Sequence, residues 1–360
     1  MRIGLLTFHD AHNYGAMLQC YALQQYLITQ GHEVEVINYC PEFYHKQYKK
    51  HKILPFLGKN PIRTIKSLYY NVYLYNKRCN AFIKFHKRYL HLSHYAKADN
   101  IPSDYDAYIV GSDQIWNPEL TNGFDKIYFC DFNFPKEKRK YISYAPSMEK
   151  QHLTEQEIQY LTQTLNQFDA LSVREYSLIS LLQPLTKKRI HQVLDPTLLV
   201  SPNVWINLTN QFKKPQQPYV LLYQIRENVD VRENAYKLAK EINGYVIELT
   251  ARIDRHYPTK YQTISPLNFI NLFRYAEYVL TTSFHGTAFS IIFERNFFTF
   301  KLHDNFDNRS YSLLKAIELE SRYINPNNTI KLDKIDYSEV NKRLESLRKK
   351  SREFLNEALI

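Results

Sequence analysis

Glycine is scarce in this chain, 8 residues in 360. Neither a G-x-G-x-x-G nor a G-x-x-x-x-G-K-[ST] pattern occurs, which argues against a glycine-rich phosphate cradle. The four cysteines, Cys20, Cys40, Cys79 and Cys130, are widely separated and form no C-x-x-C pair. That spacing fits neither a zinc ribbon nor a disulfide framework, and buried free thiols are the expectation. No stretch approaches the roughly 20 apolar residues that a spanning helix needs. The opening run Met1–Leu6 turns polar too soon for a signal peptide and reads as a buried strand. A soluble, cytoplasmic protein is expected.

What the chain does have is aromatic rings and localised positive charge. It carries 30 Tyr and 21 Phe, and its net charge is +11. Between Phe43 and Tyr95 there are twelve Lys or Arg and no Asp or Glu, so the other 35 bases (47 − 12) face 36 acids and nearly cancel. This basic aromatic stretch reads either as a contact with an anionic surface or as a solvated helical face with its rings turned inward. Nucleic acid is a third partner class for such a stretch, but no RRM or KH signature accompanies it, and no nucleic acid is expected.

The length fits two domains. Ile3–Thr7 (strand), Met17–Ile28 (helix) and Val34–Tyr39 (strand) open a parallel α/β unit, which resumes after the insert with short apolar strands over 105–110, 140–145, 170–173 and 191–194. Residues 201–218, with three prolines, read as a connection. A second series alternates strands at 219–223, 245–249, 278–282 and 297–300 with helices at 231–242, 266–275 and 287–295. A last helix opens on Asp336-x-x-Glu339. The expectation is thus α/β: two Rossmann-like domains facing across a cleft, the first over 1–200 with its insert at 43–95, the second over 219–335, and a C-terminal helix over 336–360.

Loops at the C-terminal ends of such strands are where ligands bind. After the first strand, Asn13-Tyr14-Gly15-Ala16 either lets a ligand approach a helix start or merely caps it. Gly111-Ser112-Asp113-Gln114-Ile115-Trp116-Asn117 offers Asp113 as a hydroxyl base or a turn cap, and Trp116 as a sugar platform or core filler. Arg174 carries a donor fork suited to carboxylate or phosphate, with Glu175 beside it as a surface ion-pair alternative. Asp195, before Pro196, reads as structural. In Ser283-Phe284-His285-Gly286-Thr287 a strand runs straight into a helix, placing His285 where anions bind and protons are handed over. Lys301, His303 and Arg309 follow as further cations.

Taken in order, these segments, with Tyr144-Ala145-Pro146-Ser147 and Asp195-Pro196-Thr197, resemble the polysaccharide pyruvyl transferase family over residues 1 to about 310. The resemblance implies the two-domain architecture of cleft-forming glycosyltransferases, phosphoenolpyruvate as donor co-substrate and a sugar diol as acceptor. It further implies donor contacts from Arg174 and His285. The expected donor set is Arg174, Ser283, Phe284, His285, Gly286, Lys301 and Arg309. The expected acceptor set is Asn13, Tyr14, Gly15, Ser112, Asp113 and Trp116. His285, Asp113 and Arg174 carry the chemistry, with no cofactor and no metal. Ser283 stands where some members of the family carry Arg. A lipid-linked acceptor met at the membrane's inner face would give the basic insert a role. A nucleotide-sugar glycosyltransferase on the same architecture is the rival reading.

Overall fold

The computed structural model describes residues 1–41, 48–53, 61–256, 258–301, 308–330 and 332–360. Lys46, Lys59, Tyr44 and Phe56 of the basic insert, and His303, lie outside the described residues. Two all-parallel sheets form the framework. The first has seven strands in the order β3-β2-β1-β4-β5-β6-β7, spanning Arg2–Leu6 (β1), Glu33–Tyr39 (β2), Leu92–Ala96 (β3), Ala107–Val110 (β4), Lys140–Ser143 (β5), Ala170–Val173 (β6) and Ile190–Gln192 (β7). The second has five in the order β12-β11-β10-β8-β9: Tyr219–Gln224 (β8), Tyr245–Thr250 (β9), Tyr278–Thr281 (β10), Asn296–Phe300 (β11) and Tyr323–Ile324 (β12). Both orders reverse direction at an internal switch point, β1/β4 in the first and β8/β10 in the second. That is the doubly wound pattern, with a crevice at each switch point. Strands β4 and β8 are buried along their whole length, as parallel strands covered on both faces must be.

The helix Tyr14–Thr29 fills the space between the two sheets and is buried on nearly every face. Such a helix shows little amphipathic periodicity. Its polar side chains are satisfied internally: Gln19 Nε2 donates to Thr7 Oγ1 at 2.8 Å, and Gln24 Nε2 to the Tyr89 carbonyl at 2.9 Å. Tyr14 stacks on Phe269 of the second unit with ring centroids 4.4 Å apart. The largest apolar cluster therefore runs through both units, from Leu5 and Tyr21 through Trp205 to Phe269 and Phe289.

The basic insert forms a helix over Pro61–Ser67, a π-helical segment over Leu68–Leu74 and a helix over Tyr75–Tyr89. Every described base in it is exposed except Arg78. That guanidinium is 4% exposed and clamps the two units together, donating to the Gln262 carbonyl at 2.9 Å, the Ala251 carbonyl at 3.0 Å and Tyr14 Oη at 3.0 Å. Phe82 and Phe85 turn inward, as the solvated-face reading expects, while Tyr69 and Tyr73 are exposed.

Within residues 201–218 the chain forms a short helix, Pro202–Leu208, capped by Ser201. The last helix, Tyr337–Leu359, is capped by Asp336, but Glu339 pairs with Lys342 instead of closing the expected box. It returns to the first unit, where Ser351 Oγ accepts from the Leu194 amide at 2.9 Å and Arg348 donates to the Leu198 carbonyl at 2.7 Å. No described helix is long and apolar enough to cross a membrane.

Candidate active site

A cleft of about 830 Å³ opens where the two switch points face each other. Asn13, following β1, and Asp113, following β4, form one wall; Ser283, Phe284 and His285, following β10, form the other. Asp113 sits at φ 67°, a left-handed conformation that aspartate tolerates better than most residues. Its carbonyl accepts from the Ser147 amide at 2.8 Å, fixing the turn and leaving the carboxylate at the cleft surface.

His285 lies inside the first turn of the helix Phe284–Ile292, which starts three residues earlier than the sequence pattern indicates. The cap is Ser283, whose Oγ accepts from the Gly286 amide at 3.3 Å. His285 packs against the first unit's own helix start: a Cβ added at Gly15 would lie 2.0 Å from His285 Nδ1. Only glycine leaves room for the imidazole there.

Behind His285 is a buried charged cluster. Arg174 Nη1 donates to Asp195 Oδ2 at 2.7 Å, Arg174 Nη2 lies 3.6 Å from Asp113, and His285 Nε2 lies 3.6 Å from Asp195. Asp195 also accepts from the Thr197 amide at 2.9 Å, from Thr197 Oγ1 at 2.7 Å and from Ser112 Oγ at 3.3 Å. Burial alone would raise its carboxyl, but His285, Arg174 and the Thr197 amide outweigh that and hold it well below the usual carboxylate range. Glu175 is fully buried, accepts from Ser147 Oγ at 2.8 Å, and has its carboxyl pushed up by burial. Burial likewise raises Glu149, which lines the cleft and pairs with Arg309 and Gln114.

Four buried polar nitrogens in this region make no hydrogen bond among the described residues: Arg174 Nε and Nη2, His285 Nε2 and Arg309 Nε. Three of them face a carboxylate at the longer distance of an ion pair: Arg174 Nε faces Glu175 at 3.8 Å, Arg174 Nη2 faces Asp113 at 3.6 Å, and His285 Nε2 faces Asp195 at 3.6 Å. His285 and Arg309 line the cleft. Arg174 lines an adjoining cavity of about 50 Å³ that shares Phe284 and Arg309 with it. The Phe284 ring is the partition: it covers the Arg174 guanidinium at 4.5 Å and meets His285 edge-on. Leaving buried donors unpaired costs about 1–3 kcal/mol each, more for a charged group. An anion that reached them would recover that cost.

Several expected contacts are not at the cleft. Trp116 is 1% exposed, donates to the Tyr128 carbonyl at 2.8 Å and stacks on Phe129, so it is a core residue and no sugar platform. Ser112 is fully buried, donating to the Ala145 carbonyl at 3.0 Å. Tyr14 is locked between the units, with its hydroxyl donating to the Ile264 carbonyl. Gly286 allows close packing on Thr281, whose Oγ1 would lie 2.2 Å from an added Cβ. Lys301 is exposed and absent from the described cleft wall. Asn13 caps its helix, accepting from the Gly15 amide at 2.9 Å, and lines the cleft as well. Arg174 and Glu175 form no surface pair; both are buried.

Sequence reasoning missed the cleft cations Arg226, Arg252 and Arg255, on loops after β8 and β9. It also missed Asp195 as the centre of the cluster. The Asp-Pro-Thr cap was visible, but nothing local showed that its second oxygen faces Arg174 and His285.

The sequence profile of the polysaccharide pyruvyl transferase family matches residues 13–304, most of the chain and every loop described above except the last cation, Arg309. The chain belongs to that family. Its members are transferases of polysaccharide biosynthesis, and the two doubly wound units facing across a cleft are the architecture expected from the sequence. No curated protein matches the chain significantly. Among solved structures, it is similar to a Methanocaldococcus jannaschii UDP-GlcNAc 2-epimerase (12% identity, 97% of this chain and 93% of that one, TM-score 0.45). It is also similar to Staphylococcus aureus MnaA (10%, 98% and 89%, 0.46) and Arabidopsis thaliana UGT89C1 (12%, 98% and 94%, 0.42). Likenesses this distant say nothing about the chemistry of a pyruvyl transferase.

Proposed function

We propose that the protein transfers pyruvate from phosphoenolpyruvate to two hydroxyls of a sugar in a polysaccharide precursor, forming a ketal and releasing phosphate. The observation that carries this reading is the set of four buried nitrogens on Arg174, His285 and Arg309 without a hydrogen bond among the described residues, beside a cleft lined by the Asp113 carboxylate. Phosphoenolpyruvate brings a carboxylate and a phosphate, the two groups such nitrogens serve best.

The reaction needs a proton on the methylene carbon, which becomes the ketal methyl. One sugar hydroxyl attacks the neighbouring carbon, the bond from that carbon to the phosphate oxygen breaks, and the second hydroxyl attacks in turn. Of the two hydroxyl protons released, one replaces the proton given to carbon and the other leaves with phosphate. His285 serves as phosphate ligand and acid, and Asp113 takes a hydroxyl proton. Arg174 contacts the donor when Phe284 turns aside, while Asp195 orients both Arg174 and His285. Charge placed on the departing phosphate is the largest aid the site offers.

No cofactor or metal is part of this scheme. The acceptor is taken to be lipid-linked and met at an anionic membrane face. The competing reading, a nucleotide-sugar glycosyltransferase, shares the cleft but uses a different donor. Calorimetric titration separates the two. Phosphoenolpyruvate should bind the wild type and fail to bind Arg174→Ala; binding of a nucleotide sugar with no phosphoenolpyruvate signal would favour the rival.

A further inference from the structure

A second groove lies away from the cleft. It has a volume of about 1100 Å³ and runs between the insert and the second unit's helix Pro266–Tyr275. Leu68, Val72, Phe85, Ile264 and Leu267 give it an apolar floor. Lys77, Lys84, Arg88 and Lys260 contribute exposed cations, and no carboxylate occurs among the described residues that line it.

A second feature points the same way. Ile62, Ile65, Tyr69 and Tyr73 are 67%, 67%, 49% and 57% exposed. Their spacing of three, four and four residues places them along one face of the helical insert. The Tyr69 and Tyr73 rings stack in solvent, centroids 5.7 Å apart, and both line the groove. A stripe of exposed apolar side chains flanked by bases is the composition of a helix that lies in a bilayer interface. Tyrosines belong at headgroup depth, and the bases belong at lipid phosphates.

We propose that this face docks on an anionic bilayer, and that the groove takes one hydrocarbon chain of a phosphate-bearing membrane lipid. The lipid phosphate would sit among Lys77, Lys84, Arg88 and Lys260, while Ile62, Ile65, Tyr69 and Tyr73 enter the leaflet beside it. Arg78, on the same helix, points the other way and fastens it to the loops after β9. The docked face is thereby joined rigidly to the unit that carries His285. This inference rests on the membrane placement and is independent of the cleft chemistry.

The test is co-sedimentation of the full chain with phosphatidylglycerol–phosphatidylcholine vesicles and with phosphatidylcholine vesicles alone. Wild type should pellet with the anionic vesicles, and added salt should release it. Each base near an anionic surface multiplies partitioning roughly fivefold, so Lys84→Glu with Arg88→Glu should weaken binding at least about 25-fold. Ala81→Trp fills the groove and leaves every charge in place. Excluding even two methylene groups of a chain costs roughly tenfold, so this variant should lose about that much. Asn268→Trp fills the groove from the opposite wall and replaces Ala81→Trp should that variant unfold. If folded tryptophan variants bind as wild type does, the chain-binding groove is wrong and only charge-driven membrane contact survives. If wild type stays in the supernatant with anionic vesicles at low salt, the groove and the membrane placement both fall. Displacement by heparin with indifference to Ala81→Trp would identify a general polyanion surface and overturn the lipid assignment.

Discussion

Replacing Gly15 with alanine adds one carbon at the point where the two units touch through the site. That carbon would lie 2.0 Å from His285 Nδ1 and 2.4 Å from its Cε1. Ordinary contact is about 3.5 Å, so the imidazole or the helix Tyr14–Thr29 must move by roughly 1.5 Å. Overpacking of this kind costs about 1–3 kcal/mol of stability, and a displacement of about 1 Å at a reacting group costs on the order of 10²-fold in rate. Gly15→Ala should therefore lower both the unfolding free energy and the turnover. The stability cost should largely vanish in a His285→Ala background, because the clashing ring is gone. Urea unfolding of wild type, both single variants and the double variant gives the coupling energy directly. A Gly15→Ala protein as stable and active as wild type would show that His285 does not pack where the structure places it. Additive single effects would locate the clash elsewhere.

His285→Ala and Arg174→Ala should each retain the fold and lose on the order of 10²-fold or more in phosphate release, the first mainly in turnover and the second mainly in donor affinity. Trp116→Phe should leave steady-state kinetics unchanged and lower thermal stability slightly, as expected of a core residue with one hydrogen bond. Acid should destabilise the protein in two windows. Burial lowers the His12 pKa to about 4, with Asp10 opposing the shift and Arg78 adding to it. The unfolded chain then binds the proton first, so the His12 contribution to stability falls by about 3 kcal/mol as pH drops from about 6.5 toward 4. Asp195 has a depressed carboxyl, so its contribution is full above the unfolded value and is lost only below about pH 4. Burial lowers His86 to about 4 as well, so it acts in the same upper window. His12→Phe should therefore shrink that window without abolishing it, and Asp195→Asn should shrink the lower, both read from denaturant midpoints across pH.

The fold was largely legible because parallel strands buried on both faces are short apolar runs, and β1, β4, β8 and β10 all carry one. The connection at 201–218 was not, because its prolines mark both a loop and the first turn of the helix Pro202–Leu208. At the site, Asp113 and His285 were readable as strand-end residues, whereas Trp116 and Ser112 stand next to Asp113 in sequence and turn inward. Chain neighbours in a tight turn point to different sides, and sequence order alone does not say which. The role of Asp195 depends on contacts with residues 21 and 90 positions away, Arg174 and His285, beyond the reach of any local pattern. The basic insert was readable as charge. That nine of its ten described bases are exposed while Arg78 turns in to hold Gln262, Ala251 and Tyr14 required three dimensions.

The central claim is that phosphoenolpyruvate binds between Asp113 and His285. A crystal structure of the protein soaked with phosphoenolpyruvate tests it most directly. The account predicts an anion bonded to His285 Nε2 and Arg309 Nε, with Phe284 turned away from Arg174 so that its guanidinium Nε and Nη2 hydrogen-bond the donor and complete the site. An undisturbed Phe284 with the donor bound elsewhere, or a cleft left empty by phosphoenolpyruvate and filled by a nucleotide sugar, would contradict it.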